Sequence, residues 1–168
     1  MPLSLNYRFI LIVAVTSAVA TAVLGLALAH TIWYNYELIP LFGRNSVSSY
    51  LTSASMIFSF IITFMVTKAT RKATRSQQIF PLHWHLKSQT LIDQLPRQTT
   101  LRAFILGIVG ALMSGLTIAL LYFKDFSSFY FYQLAAFSTV YFVLLASAMS
   151  IMTAYRSMGD DVLKQVRL

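Results

Sequence analysis

Long apolar runs separated by short charged segments dominate the chain. Four of these runs are close to the roughly 20 residues that an α-helix needs to cross the hydrocarbon core of a bilayer. They cover residues 9–29, 50–67, 103–123 and 129–154. None contains Asp, Glu, Lys, Arg or His, and none shows the alternation of a strand. The pattern predicts an all-α integral membrane protein, a four-transmembrane-helix bundle that forms one membrane domain over residues 1–168.

The positions of Lys and Arg predict how these spans are oriented, because cytoplasmic segments are enriched in both. Arg44 and Lys124 fall on one side of the predicted membrane. Eleven cations fall on the other: Arg8, Lys68, Arg71, Lys72, Arg75, Lys87, Arg97, Arg102, Arg156, Lys164 and Arg167. We therefore expect cytoplasmic N and C termini, and a multi-pass protein of the bacterial inner (plasma) membrane.

Composition narrows the classes of function. Only 11% of the residues are charged, against about 25% in a soluble domain. The net charge of +8 sits at the ends of apolar runs, which argues against nucleic acid as a partner. The chain has no cysteine, so disulfides, thiolate catalysis and Cys-ligated metals are excluded.

The segment "IFPLHWHLKSQTLIDQLP" between the second and third spans is the one that most resembles a chemical site. Prolines at both ends predict a short amphipathic interfacial helix over residues 82–95. On that helix Trp84, Leu91 and Leu95 share a side that would face the membrane interface or a partner. His83 and His85 are the metal candidates, but a helix sets them about 200° apart. Only an extended segment would let both bind one ion, and zinc usually takes three or four ligands.

Small residues at four-residue spacing mark the faces on which helices approach closely. They lie in the first and third spans, and they either pack the monomer or contact another chain: Ala14, Ala18, Ala22, Gly107, Gly110, Ala111, Ser114 and Gly115. Five hydroxyl residues are expected to add hydrogen bonds in the membrane: Ser53, Ser59, Thr63, Ser147 and Ser150.

Two clusters flank the spans. Lys68, Arg71, Lys72 and Arg75 continue one face of the second helix, either as a plain stop-transfer cap or in contact with anionic lipid. Seven aromatic residues crowd the segment "YFKDFSSFYFY" on the opposite side. They predict an interfacial belt, with a docking surface as the alternative, and the residues that we assign to it are Tyr122, Phe126, Tyr130 and Tyr132.

The two halves of the chain resemble each other weakly. "RFILIV" at Arg8 is similar to "RAFILGIV" at Arg102, and "TKATR" ending at Arg71 is similar to "MTAYR" ending at Arg156. Two interpretations remain open: a tandem two-helix repeat over residues 8–71 and 102–156, or the chance likeness of apolar helices.

These features favour a non-catalytic protein. The spans lack the ionisable group that proton-coupled transport generally needs, and no nucleophile–His–acid set can be assembled. We expect no cofactor and an accessory, assembly or interaction subunit of a larger membrane complex, whose partner is another membrane protein or a second copy. The alternative is a small transporter or a lipid- or quinone-binding protein with a Ser/Thr-lined cavity. A metal-dependent membrane enzyme is the third hypothesis.

Overall fold

A computed structural model describes residues 2–80 and 95–160 of the chain. Its four helices are α1 (Pro2–Trp33), α2 (Val47–Arg75), α3 (Thr99–Phe123) and α4 (Phe131–Met158). All four are long and apolar enough to cross a membrane. The prediction of four such helices is therefore confirmed.

The helices extend beyond the apolar runs that predict them. α2 continues through its four cations to Arg75, because Lys and Arg are good helix formers even though they end a hydropathy window. Its first turn is capped by Ser46, whose Oγ accepts a hydrogen bond from the Ser49 N–H at 3.4 Å. The predicted helix over residues 82–95 lies outside the described residues except for Leu95, and so do His83, Trp84, His85 and Leu91.

A short β-ribbon, which the hydropathy pattern does not predict, joins the ends of two helices. β1 (Leu38–Pro40) follows α1, and β2 (Ser128–Tyr130) precedes α4; the two strands pair antiparallel with Ile39 opposite Phe129. Both of these central side chains are buried while their neighbours in the ribbon are exposed. The fourth apolar run was expected to become helical at Phe129, but Phe129 belongs to β2, and α4 begins at Phe131.

The helices pair crosswise between the two halves of the chain. α1 packs mainly against α4, α2 packs mainly against α3, and α2 and α4 meet in the middle. α1 and α2 make few contacts with each other. Exchanging α1 with α3 and α2 with α4 reproduces the same main pairings, which is the pattern that two repeats related by an axis along the helices would produce. Duplication of the two halves stays a prediction.

An aromatic cluster ties three helices together near the ribbon. The Tyr50 hydroxyl of α2 donates to the Gly25 carbonyl of α1 at 2.7 Å, and its ring lies edge-on to Trp33 and Phe142 at 5.2 and 5.7 Å between centroids. A Cβ added at Gly25 would lie 2.7 Å from the Phe142 ring. This contact requires glycine, because the α4 ring rests directly on the α1 backbone.

The small residues of α3 form the contact with α2. A Cβ at Gly110 would overlap Ser59 Oγ and would lie 2.7 Å from the Ser55 carbonyl oxygen, whereas one at Gly115 would meet nothing within 4 Å. Ser114 is buried, and its hydroxyl lies 3.2 Å from Thr52 Oγ1. Ala111 is half-buried. On α1, Ala14 and Ala18 are buried and Ala22 is half-buried.

A row of buried hydroxyl groups runs along α2 and α4. Within the described part of the chain these side chains have no hydrogen-bond partner: Ser59, Thr63, Thr67, Thr70, Ser150 and Thr153. The expected hydrogen bonds of Ser59, Thr63 and Ser150 are therefore wrong. Ser53 and Ser147 do form hydrogen bonds, each donating to a carbonyl of its own helix, Ser49 and Val143, at 2.7 Å. Ser55 instead supplies an interhelical bond, with its hydroxyl 3.0 Å from that of Tyr141.

Replacing Thr63 with valine is expected to leave the free energy of unfolding unchanged or to raise it by up to about 1 kcal/mol, because valine keeps the shape and removes an unpaired buried hydroxyl. The matched change Tyr141→Phe removes the hydrogen bond to Ser55 and is expected to lower the free energy of unfolding by about 1 kcal/mol. Unfolding by a denaturing detergent in mixed micelles measures both. A larger loss for Thr63→Val than for Tyr141→Phe would mean that the Thr63 hydroxyl is bonded in the native protein.

Candidate functional site

Three arginines converge on one carboxylate where α2 and α4 end and α3 begins, which we term the basic end of the bundle. Arg71 Nη2 and Arg102 Nη2 lie 2.8 and 2.7 Å from Asp160 Oδ2. Arg156 Nη1 lies 2.9 Å from Asp160 Oδ1, one helical turn away along the chain. We call these four residues the Asp160 cluster. Asp160 accepts from three different helices and so joins their ends.

The same arginines hold the segment that leads into α3. The Leu95 carbonyl accepts from Arg156 Nε and Nη2 at 3.1 and 2.9 Å. The Pro96 carbonyl accepts from Arg102 Nε at 3.0 Å, and the Arg97 carbonyl accepts from Arg71 Nη2 at 2.6 Å. Three consecutive carbonyls thus each bind a different guanidinium.

Arg102 is the most deeply enclosed member of the cluster, with a fully buried side chain. Besides Asp160 and Pro96 it donates to Ser157 Oγ from Nη1 at 2.9 Å. A buried guanidinium is stable only when its donors are satisfied, and these hydrogen bonds engage the Nε, Nη1 and Nη2 of Arg102. Arg102 is therefore the structural centre of the cluster.

The cluster carries excess positive charge, because three guanidinium groups face one carboxylate. Among the described residues Asp160 is the single acidic side chain at the basic end, since Glu37 and Asp125 lie in the loops at the ribbon end. Charged residues of one sign in a low-dielectric setting attract a counter-ion. The described part of the basic end therefore has a net positive charge.

An open groove with cationic walls adjoins the Asp160 cluster. It has a volume of roughly 550 Å³ and is lined by Lys68, Arg71, Lys72, Arg75, Ser76 and Thr99. We call it the basic groove. The four cations predicted to share one face of α2 line it together with Thr99, the first residue of α3. Arg71 belongs to both features, because it lines the groove and donates to Asp160.

A second groove separates α1 from α2. It has a volume of roughly 340 Å³. The α1 wall consists mostly of small residues, and the α2 wall consists mostly of bulky apolar ones; together they are Val13, Thr16, Ser17, Ala20, Thr21, Leu24, Phe58, Ile61, Ile62, Met65, Val66 and Ala69. We call it the apolar groove. It exists because α1 packs mainly against α4 and makes few contacts with α2.

The predicted aromatic residues gather at the ribbon end and are all exposed. Tyr130 and Tyr132 stack with ring centroids 5.9 Å apart. Tyr122 and Phe126 line a shallow depression of roughly 470 Å³, where Phe42 lies edge-on to Tyr122. The belt and the docking surface both remain interpretations of this cluster.

No group of three or more His, Cys, Asp or Glu side chains lies close enough to hold a metal ion within residues 2–80 and 95–160. The metal candidates His83 and His85 fall in the gap between these ranges.

Comparison with known proteins finds no match. No family model, no curated protein and no solved structure matches this chain.

The Asp160 cluster is the feature that sequence reasoning misses. The sequence assigns Arg71, Arg102 and Arg156 to the cationic side of the membrane and to similar positions in the two halves, and Arg71 also to one cationic face of the second helix. None of these assignments involves Asp160. A usable signal was the scarcity of acid, because five Asp and Glu residues face 13 Lys and Arg residues, so an acid at the cationic end has several partners.

Proposed function

We propose that this chain is a non-catalytic, multi-pass protein of the bacterial inner membrane, with both termini in the cytoplasm. Its role is that of an accessory subunit that binds a transmembrane helix of another membrane protein in the apolar groove. The orientation is supported by the cations of the basic end, since Lys and Arg are enriched on the cytoplasmic side.

The observation that carries the proposal is the shape and lining of the apolar groove. From Val13 to Leu24 the α1 wall is about 17 Å long at 1.5 Å per residue, roughly half of the hydrocarbon thickness. Ser17 and Thr21, and likewise Thr16 and Ala20, are four residues apart on that wall. Small residues at this spacing let a second helix backbone approach closely and gain dispersion contact.

The concave form of the groove favours a different protein over a second copy. A two-fold dimer sets the same surface of each copy against itself. Two concave surfaces placed face to face would leave a void, which costs contact energy on both sides. A convex helix of another protein fills the groove without this cost.

Filling the apolar groove is expected to abolish partner binding. Ala20→Trp places a large side chain in the groove, whereas Val19→Trp adds the same ring one residue away, at an exposed position that does not line it. Purification from the native source in mild detergent, followed by mass spectrometry, should recover a second membrane protein with the wild type and with Val19→Trp. Its recovery should fall at least tenfold with Ala20→Trp.

The absence of cysteine allows a direct test of position, because one introduced cysteine is unique in the chain. A photoreactive crosslinker attached at Ala20 should label the partner, and one attached at Leu112, on the exposed face of α3, should not. A strictly monomeric product without any co-purifying chain would overturn the proposal. Recovery of lipid or quinone in place of a protein would favour the alternative of a lipid- or quinone-binding protein.

A further inference from the structure

In the part of the chain that the structure describes, the basic groove is lined by cations and by no acidic side chain. Four of its six lining residues are cations, and the other two, Ser76 and Thr99, carry hydroxyl groups. Within residues 2–80 and 95–160 the ion pairs of the chain all involve Asp160, and of the groove cations only Arg71 takes part. Lys68, Lys72 and Arg75 therefore add three positive charges beside a cluster that already has an excess of two.

The chemistry of the lining fits a phosphate group. Guanidinium groups donate paired hydrogen bonds to phosphate oxygens, ammonium groups contribute point charge, and hydroxyl groups add neutral donors. Thr99 is the first residue of α3, where the helix dipole also favours negative charge.

The surroundings of the groove point to a phosphate that is attached to apolar chains. Lys68 Nζ lies 4.2 Å from the ring centre of Phe64, one turn further into the apolar part of α2. Phe64 stacks on Phe60, with 6.4 Å between centroids, and Phe60 Cβ is 3.6 Å from the position of a Cβ at Gly107 on α3. An apolar track along the α2–α3 boundary thus leads away from the cations.

We propose that the basic groove binds the phosphate headgroup of an anionic membrane lipid, with its acyl chains along Phe64 and Phe60. Lys72 and Arg75 hold the phosphate at the open side, and Arg71 and Thr99 hold it at the wall next to the Asp160 cluster. This site lies on the α2–α3 side of the bundle, and it is independent of the function proposed for the apolar groove.

Arg71 couples this site to the contact between the helices. Its guanidinium donates to Asp160 Oδ2 at 2.8 Å, to Thr99 Oγ1 at 2.8 Å and to the Arg97 carbonyl. A phosphate in the groove neutralises the charge that Arg71 shares with Lys72 and Arg75, and so relieves repulsion at the point where α2, α3 and α4 meet. Binding should therefore stabilise the whole bundle rather than the groove alone.

Thermal unfolding of the purified protein in neutral detergent tests the site. Added phosphatidylglycerol should raise the midpoint of unfolding by several degrees and should remain bound in native mass spectrometry, whereas phosphatidylcholine, which has no net charge, should do neither. The double variant Lys72→Gln/Arg75→Gln should weaken the apparent affinity for phosphatidylglycerol at least tenfold. It leaves Arg71 and the Asp160 cluster in place, so the fold is kept. Arg44→Gln/Lys124→Gln removes the same charge at the ribbon end and should bind as the wild type does.

Inorganic phosphate, added alone, separates the two sources of the phosphate group. Stabilisation by phosphatidylglycerol, with little effect of inorganic phosphate at the same concentration, supports the lipid site. Stabilisation by inorganic phosphate but not by phosphatidylglycerol would overturn it in favour of a water-soluble phosphate ligand. An equal loss of affinity for phosphatidylglycerol in both double variants would also overturn the proposal, because the affinity would then depend on net charge and not on the basic groove.

Discussion

Replacing Asp160 with asparagine is expected to lower the free energy of unfolding by about 3 kcal/mol, because removing one partner of a buried ion pair leaves the other charges uncompensated. The Asp160 side chain is 5% exposed and contacts three guanidinium groups, of which that of Arg102 is fully buried. Asparagine keeps the size of the side chain but removes the charge and one acceptor. The change should therefore loosen the ends of α2, α3 and α4 together.

Asp125→Asn is the matched control for this prediction. Asp125 is an exposed residue at the ribbon end and forms no ion pair among the described residues, so its loss should change the free energy of unfolding by less than about 0.5 kcal/mol. Detergent-induced unfolding in mixed micelles, followed by circular dichroism, compares the two variants at the same net charge. If both unfold at the wild-type midpoint, the three ion pairs contribute nothing measurable to stability.

Gly110→Leu is expected to destabilise the bundle by about 3 kcal/mol or more, as overpacking of a close helix contact does. A Cβ at this position would overlap Ser59 Oγ and would also lie 2.9 Å from Ser59 Cβ and 2.7 Å from the Ser55 carbonyl oxygen. Rotation of Ser59 can move its hydroxyl but cannot move the backbone oxygen of Ser55. α3 must therefore shift away from α2 along its whole contact.

Gly115→Leu adds the same side chain five residues later on α3, where a Cβ would meet nothing within 4 Å. It is expected to be neutral or to stabilise by up to about 0.8 kcal/mol, since leucine is the better helix former. The same unfolding measurement distinguishes the two positions by the sign of the change. A destabilisation at Gly115 equal to that at Gly110 would mean that the exposed face of α3 also contacts another chain.

The four helices could be predicted because hydropathy is a local property. Runs such as residues 103–123 contain enough apolar residues to identify a helix that is long and apolar enough to cross a membrane, without any knowledge of its neighbours. The ends of the helices were predicted less well, because hydropathy falls at Lys68 while the hydrogen-bonded backbone of α2 continues to Arg75. The strand containing Phe129 was missed for a related reason. Three residues are too few for alternation to be visible, and the aromatic composition suits a helix end equally well.

The candidate sites likewise include some features that the sequence could predict and others that it could not. Lys68 and Arg75 could be assigned to one face because helical spacing alone determines it, and both line the basic groove. The role of Asp160 depends on contacts with Arg71 and Arg102, which are 89 and 58 residues away along the chain. No periodicity in a single sequence reports such contacts. The difference between Gly110 and Gly115 likewise depends on which face of α3 meets α2, which the spacing of small residues alone leaves undetermined.

The crosswise pairing of the helices determines when the molecule can be completed during synthesis. α1 is synthesised before its main neighbour, α4, and the main neighbour of α2, which is α3, also follows it in the chain. Until α3 and α4 have been synthesised, the faces of α1 and α2 that face them in the folded protein remain unpaired. Ala14 and Gly25 lie on α1. Translation must therefore proceed through α4 before α1 can pack against its main neighbour.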